Sequence, residues 1–144
     1  MASVREQVLE ALFGNLQTLQ TTKISVYRNL DKPQQVNGGM IIMRDGASEE
    51  PEVLLSPLTY IYQHLVNIEV MVQDADSATR DSGLDALLGA IGNVITADRS
   101  LGGLAEWAEA NAPAFIEEPI EGAPTVKAAQ LSIMVRFVTN DPLN

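Results

Sequence analysis

Cysteine is absent from this 144-residue chain, which excludes disulfides, thiolate nucleophiles and zinc–cysteine sites. Histidine occurs once, as His64. One imidazole builds neither a histidine-based metal site nor a Ser/His/Asp triad without distant partners that the sequence does not advertise. Basic residues are scarce, 9 against 19 acidic, for a formal charge of −10. That balance argues against tight nucleic-acid binding, which needs lysine and arginine to displace counterions from phosphates. It leaves open an acidic wall past which DNA slides without sticking, while plain solubility is the commoner use of acidity. No apolar run approaches the roughly 20 residues that span a bilayer, so no membrane partner is expected. Val4 to Leu19 is helically spaced and broken by Arg5, Glu6, Gln7 and Glu10, unlike a leader peptide. The chain is therefore expected in the cytoplasm, or in something assembled there.

Two long alternating stretches dominate what is present. From Thr59 to Gln73, Tyr60, Tyr62, Val66, Ile68, Val70 and Val72 share one parity, and Gln63, Asn67, Glu69 and Gln73 the other. A period of two over that length predicts a strand with one buried and one wet face. From Thr125 to Thr139, Ala129, Leu131, Ile133, Val135 and Phe137 oppose Gln130, Ser132 and Arg136 in the same way.

Two helices are equally legible. Ser3 with Glu6 is a capping-box signature, and behind it Val4, Val8, Leu9, Leu12, Phe13, Leu16 and Leu19 form one stripe ending near Gln20. A second helix follows Asp74-Ala75-Asp76-Ser77, with Leu84, Leu87, Leu88, Ile91, Val94 and Ile95 on one face; Gly83, Gly89 and Gly92 suit close packing against strands. Shorter strands are expected at Lys23 to Arg28, at Met40 to Arg44 (apolar enough for burial on both faces), and at Glu52 to Leu55. Leu104 to Asn111 alternates and reads as another, with a short helix as competitor. Asp45-Gly46 is a turn signal. Asn29 to Asn37 and Ala112 to Pro124 read as loops, and Asn140 to Asn144 as a polar tail.

The economical fold is a single α+β domain, residues 1–144, with a mainly antiparallel or mixed sheet and two amphipathic helices on one face. Residues 44–58 form an extended arm or irregular hairpin. Val53, Leu54 and Leu55 are hard for such an excursion to bury within its own subunit, and exposed apolar residues on an arm point to a partner.

Sites of chemistry are not evident. His64 shares its parity with Tyr62 and Val66 and suits a packed or interface position. Asp74, Asp76 and Asp81 suit a helix start, where carboxylates cap free amides; Ala78 and Arg80 spoil a Ca²⁺ loop. Glu49, Glu50 and Glu52, with Glu117, Glu118 and Glu121, fall in solvated loops with nothing to fix a catalytic separation. Gly38-Gly39, Gly102-Gly103 and Asp45-Gly46 lack the Lys-Ser or Lys-Thr of a phosphate loop. No catalytic, cofactor-binding or metal-binding residue is assigned.

The order of short motifs carries more. An Arg-Glu-Gln-Val-Leu helix leads to a strand, then to Ile41-Ile42-Met43-Arg44-Asp45-Gly46. Pro51-Glu52-Val53-Leu54-Leu55-Ser56-Pro57-Leu58-Thr59-Tyr60 and Leu84-Asp85-Ala86-Leu87-Leu88 follow, then Asp98-Arg99-Ser100-Leu101-Gly102-Gly103-Leu104 and a last strand closing on Thr139-Asn140-Asp141-Pro142-Leu143. This order resembles the tail terminator (minor tail protein U-like, or tail completion) proteins of long-tailed bacteriophages and prophages. The resemblance implies a structural virion protein at the head-proximal end of the tail, without cofactor or catalytic residues. It implies a homo-oligomer, a hexameric ring, that halts tail tube polymerisation and offers the surface to which a filled head attaches. Its partners would be the tail tube protein, a head-completion or connector protein, and DNA passing without specific binding. Contacts with a neighbouring subunit or the tube would fall on the arm, at Arg44, Asp45, Val53, Leu54, Leu55, Pro57 and Leu58. A head–tail connector or neck ring is the near alternative, and a small cytoplasmic enzyme or ligand-binding module the distant one.

Overall fold

The computed structural model describes residues 2–31, 38–116 and 126–144. Helix α1 (Val4–Gln17) starts at Ser3, whose hydroxyl accepts from the Glu6 amide at 3.1 Å. Glu6 does not complete the expected capping box, because its carboxylate is engaged by Arg28. Val8, Leu9, Leu12 and Leu16 are the buried stripe of α1. Next come β1 (Ile24–Arg28), β2 (Gly39–Ser48), β3 (Glu52–Leu55) and β4 (Leu58–Gln73). Helix α2 (Ser77–Ala97) is capped by Asp76, which accepts from the Thr79 amide and hydroxyl, and it buries Leu84, Leu87, Ile91 and Ile95. Three more strands follow: β5 (Trp107–Ala110), β6 (Ala114–Phe115) and β7 (Val126–Thr139).

The strands form one mixed sheet in the order β1-β2-β4-β7-β5. Among the described residues only the β1–β2 pair is parallel; β4 and β7 are antiparallel from Tyr60↔Thr139 to Gln73↔Val126. Tyr62, Val66, Ile68, Val70 and Val72 of β4 and Ala129, Leu131, Ile133, Val135 and Phe137 of β7 join the stripes of both helices in one core. This is an α+β domain with seven strands and two helices among the described residues. Each fully buried side chain of those stripes contributes about 1.5–3 kcal/mol, which is why period-two and period-3.6 patterns decide the layer arrangement.

Several local readings change. Asp45-Gly46 is not a turn: β2 runs on to Ser48, and the register with β4 slips between Arg44 and Ala47. The expected 104–111 strand shrinks to Trp107–Ala110, because the chain still turns at Leu101 to Leu104. Trp107 lies under the Arg99 guanidinium, 4.5 Å from its ring centre. The stretch read as a loop from residue 112 holds β6, paired at Ala114↔Gln130; its residues 117–125, like 32–37 of the earlier loop, lie outside the described set. Of the three glycines of α2, only Gly83 sits close to the sheet: a Cβ there would meet Val72 at 3.3 Å, whereas Gly89 and Gly92 face open space. Residues 140–144 fold back: the Val4 amide donates to the Asn144 carbonyl at 3.4 Å, and Arg5 Nη2 donates to the Pro142 carbonyl at 2.5 Å.

Candidate assembly surface

Strands β2 and β3 line the same edge of β4 in succession, with pairs from Gly39↔Val72 to Ser48↔His64 and then from Glu52↔Ile61 to Leu55↔Leu58. On the other edge, β7 stops at the Tyr60↔Thr139 pair. The end of the β3–β4 hairpin therefore projects past its neighbours as a two-stranded ribbon. Every residue of β3 is exposed. Val53 and Leu54 are nearly half exposed, Leu58 likewise, and Leu55 at its tip is 82% exposed. Pro57 is exposed in the tight turn, where its carbonyl accepts from the Thr59 hydroxyl at 3.0 Å.

The root of the ribbon is braced. Between the Arg44↔Asn67 and Ala47↔Leu65 pairs, Asp45 and Gly46 stand opposite Val66 alone, a β-bulge. Gly46 has φ +70°, and a Cβ there would come within 1.8 Å of the Leu65 carbonyl oxygen. Arg28 of β1 clamps this point from the side: Nε and Nη2 donate to the Asp45 carboxylate at 2.9 and 3.1 Å, and Nη1 and Nη2 to Glu6 of α1 at 2.8 and 3.0 Å. Hydrogen bonds that Arg28 donates to Glu6 and then Asp45 raise its pKa above the ordinary value. Partial burial pushes the Asp45 carboxyl up, but hydrogen bonds from Arg28 and Asn29 outweigh it, and its pKa is lowered. Arg44 is tied to Glu69 at 3.4 Å and donates to the Leu30 carbonyl at 3.1 Å.

His64 completes the brace from β4. It is buried, with Nε2 2.5 Å from the Asp45 carbonyl and Nδ1 2.7 Å from the Ser48 hydroxyl. A carbonyl only accepts, so the neutral ring carries its proton on Nε2 and accepts from Ser48. Burial lowers its pKa, partly offset by the Asp45 carbonyl bond. A depressed histidine contributes stability that is complete above its ordinary value of about 6.5 and is lost as pH falls through the folded value. The thermal midpoint should therefore drop between pH 7.5 and pH 5, and His64→Gln should flatten that drop. Equal pH dependence in both proteins would remove the assignment. Asp45, with its lowered pKa, keeps its contribution across that range and loses it only in a more acidic window, below the usual carboxylate value.

The candidate contact residues thus fall into two groups. Val53, Leu54, Leu55, Pro57 and Leu58 share the exposed tip, while Arg44 and Asp45 are half-buried and ion-paired at its root. Sequence reasoning missed Arg28, Glu6 and Ser48, whose partners lie 16 to 22 residues away in the chain. On the sheet face away from the helices lies a shallow polar groove of about 510 Å³ lined by Arg44, Asn67, Glu69, Asn111, Gln130 and Ser132. His64 is on the opposite face and cannot serve as base to Ser132.

The braced backbone and the apolar tip together define a surface suited to protein–protein assembly. Solved structures similar to this chain at low identity include the following two. One is a sheath/tube terminator of an extracellular contractile injection system (PVC) in its extended state, with a TM-score of 0.45, 12% identity, and coverage of 94% of this chain. This chain spans 57% of that protein's length. The other is a chain of the virion of a native gene transfer agent particle, with a TM-score of 0.41, 13% identity and 94% coverage of both chains. No protein-family model and no curated protein sequence matches this chain. Neither TM-score reaches the level at which a shared fold follows, so function is argued from this chain's own surface.

Proposed function

We propose that the protein is a structural subunit of a phage-type tail, forming a ring, hexameric by resemblance to tail terminators, that caps the head-proximal end of the tail tube. In this role it ends tube polymerisation and presents the surface to which the head attaches. The observation that carries the reading is the braced ribbon ending in Val53, Leu54, Leu55 and Leu58. A monomer has no use for four large apolar side chains held in water on a projecting hairpin. A heterologous contact whose rotation closes gives a ring, and a closed ring cannot grow sideways. The order of sequence motifs points the same way. The acidic balance of −10 suits a passage through which DNA slides.

Removing the gene from a producing strain and imaging the tails tests the proposal. Overlong or uncapped tubes are expected. Tails of normal length that merely fail to join heads would replace termination with a connector role.

A further inference from the structure

An apolar groove of about 270 Å³ opens at the opposite end of β4, between α2 and the β1–β2 side of the sheet. Ile24, Val72, Gly83, Ala86, Leu87 and Ala90 line it, with exposed Lys23 at its rim. It exists because α2 presents glycine and alanine here where a leucine stripe would close the gap. A cavity of about 150 Å³ accepts a benzene-sized group, so this groove has room for two leucine-sized side chains.

We propose that the groove receives the ribbon tip, Leu55 and its cross-strand partner Leu58 above all, of a second copy of this chain; the inference rests on the ring reading above. A subunit cannot serve itself: Leu58 and Val72 are fourteen positions apart on one continuous strand, roughly 45 Å. The two surfaces match in polarity, and Glu52 and Lys23 offer one opposite-charge pair between them. Glu52, at the start of β3, has no ion pair among the described residues, and the Lys23 ammonium at the groove likewise has none. Of the acids of α2 near the groove, Asp81 is held by Lys127 at 3.1 Å, while Asp85, next to Ala86, is exposed and without an ion pair among the described residues. Tip-to-groove docking is head-to-tail, so each copy keeps a free tip and a free groove until the circle closes.

The chain contains no cysteine, so two introduced thiols report one contact. Full-length Leu55→Cys and Ala86→Cys proteins are mixed under mild oxidant, at high concentration in solution and bound to isolated tails. Docking places the thiols together, and the mixture should give at least about tenfold more linked dimer than either variant alone. Oligomers or tail-bound protein without the mixed link, or with Leu55→Cys joined chiefly to itself, overturn the groove assignment and leave the ring reading standing. No association in solution or on tails overturns both. A Leu55→Ser and Ala86→Ser pair controls for folding, since both positions are exposed.

Discussion

Leu54→Asp together with Leu55→Asp should abolish incorporation into tails while leaving the subunit folded. Leu55 is largely in water and Leu54 nearly half so, and substitutions at such positions stay within about 0.5 kcal/mol of neutral, or roughly 2 °C in the thermal midpoint. Assembly responds quite differently. Two carboxylates forced into an apolar contact must be desolvated without partners, several kcal/mol each at the low end, enough to lower association by orders of magnitude. Melting curves and tail-bound protein measured on the same preparations separate the two effects. Normal incorporation of the double variant would mean that the tip is not a contact, and the assembly reading would lose its main support.

The second large effect is expected at Gly46. Alanine there combines a left-handed backbone with a methyl group 1.8 Å from a carbonyl oxygen that belongs to the adjoining strand. The conformational part alone costs about 1–2 kcal/mol, and relief of the clash must shift β4 or undo the bulge, for roughly 3 kcal/mol in all. In a domain of this size that lowers the thermal midpoint by about 6–12 °C. A loss of tail incorporation beyond what the lower stability explains should accompany it, because the bulge aims the ribbon. An unchanged midpoint, measured by calorimetry or circular dichroism, would show that the bulge relaxes freely.

These two positions also mark how far the sequence could be read. The long strands and both helices were legible because each buries a periodic face, and Val66 or Leu12 cannot be moved to the wet side without loss of core. The exposed tip was legible for the converse reason: Val53-Leu54-Leu55 sits between acidic residues and a Ser-Pro turn with nothing local to bury it. Asp45-Gly46 misled because the same glycine freedom that makes a hairpin turn also makes a bulge. What decides between them is tertiary: Arg28 and His64 hold Asp45 in the ladder, from 17 and 19 residues away. The root of the ribbon was therefore hidden, as was β6, whose two residues owe their strand conformation to β7. The apolar groove was hidden too, since Gly83, Ala86 and Ala90 look unremarkable until β1 and β4 are brought beside them.

Strand β4 is flanked by β2 and β3 on one side and by β7 on the other along nearly its whole length. Such a strand behaves as a stiff spar: displacing one extremity swings the other, because the ladders on both flanks resist flexing. Whatever catches the hairpin would thus reorient the far rim of the same subunit, and the angle from one copy to the next would be decided at the joints, not along the spar.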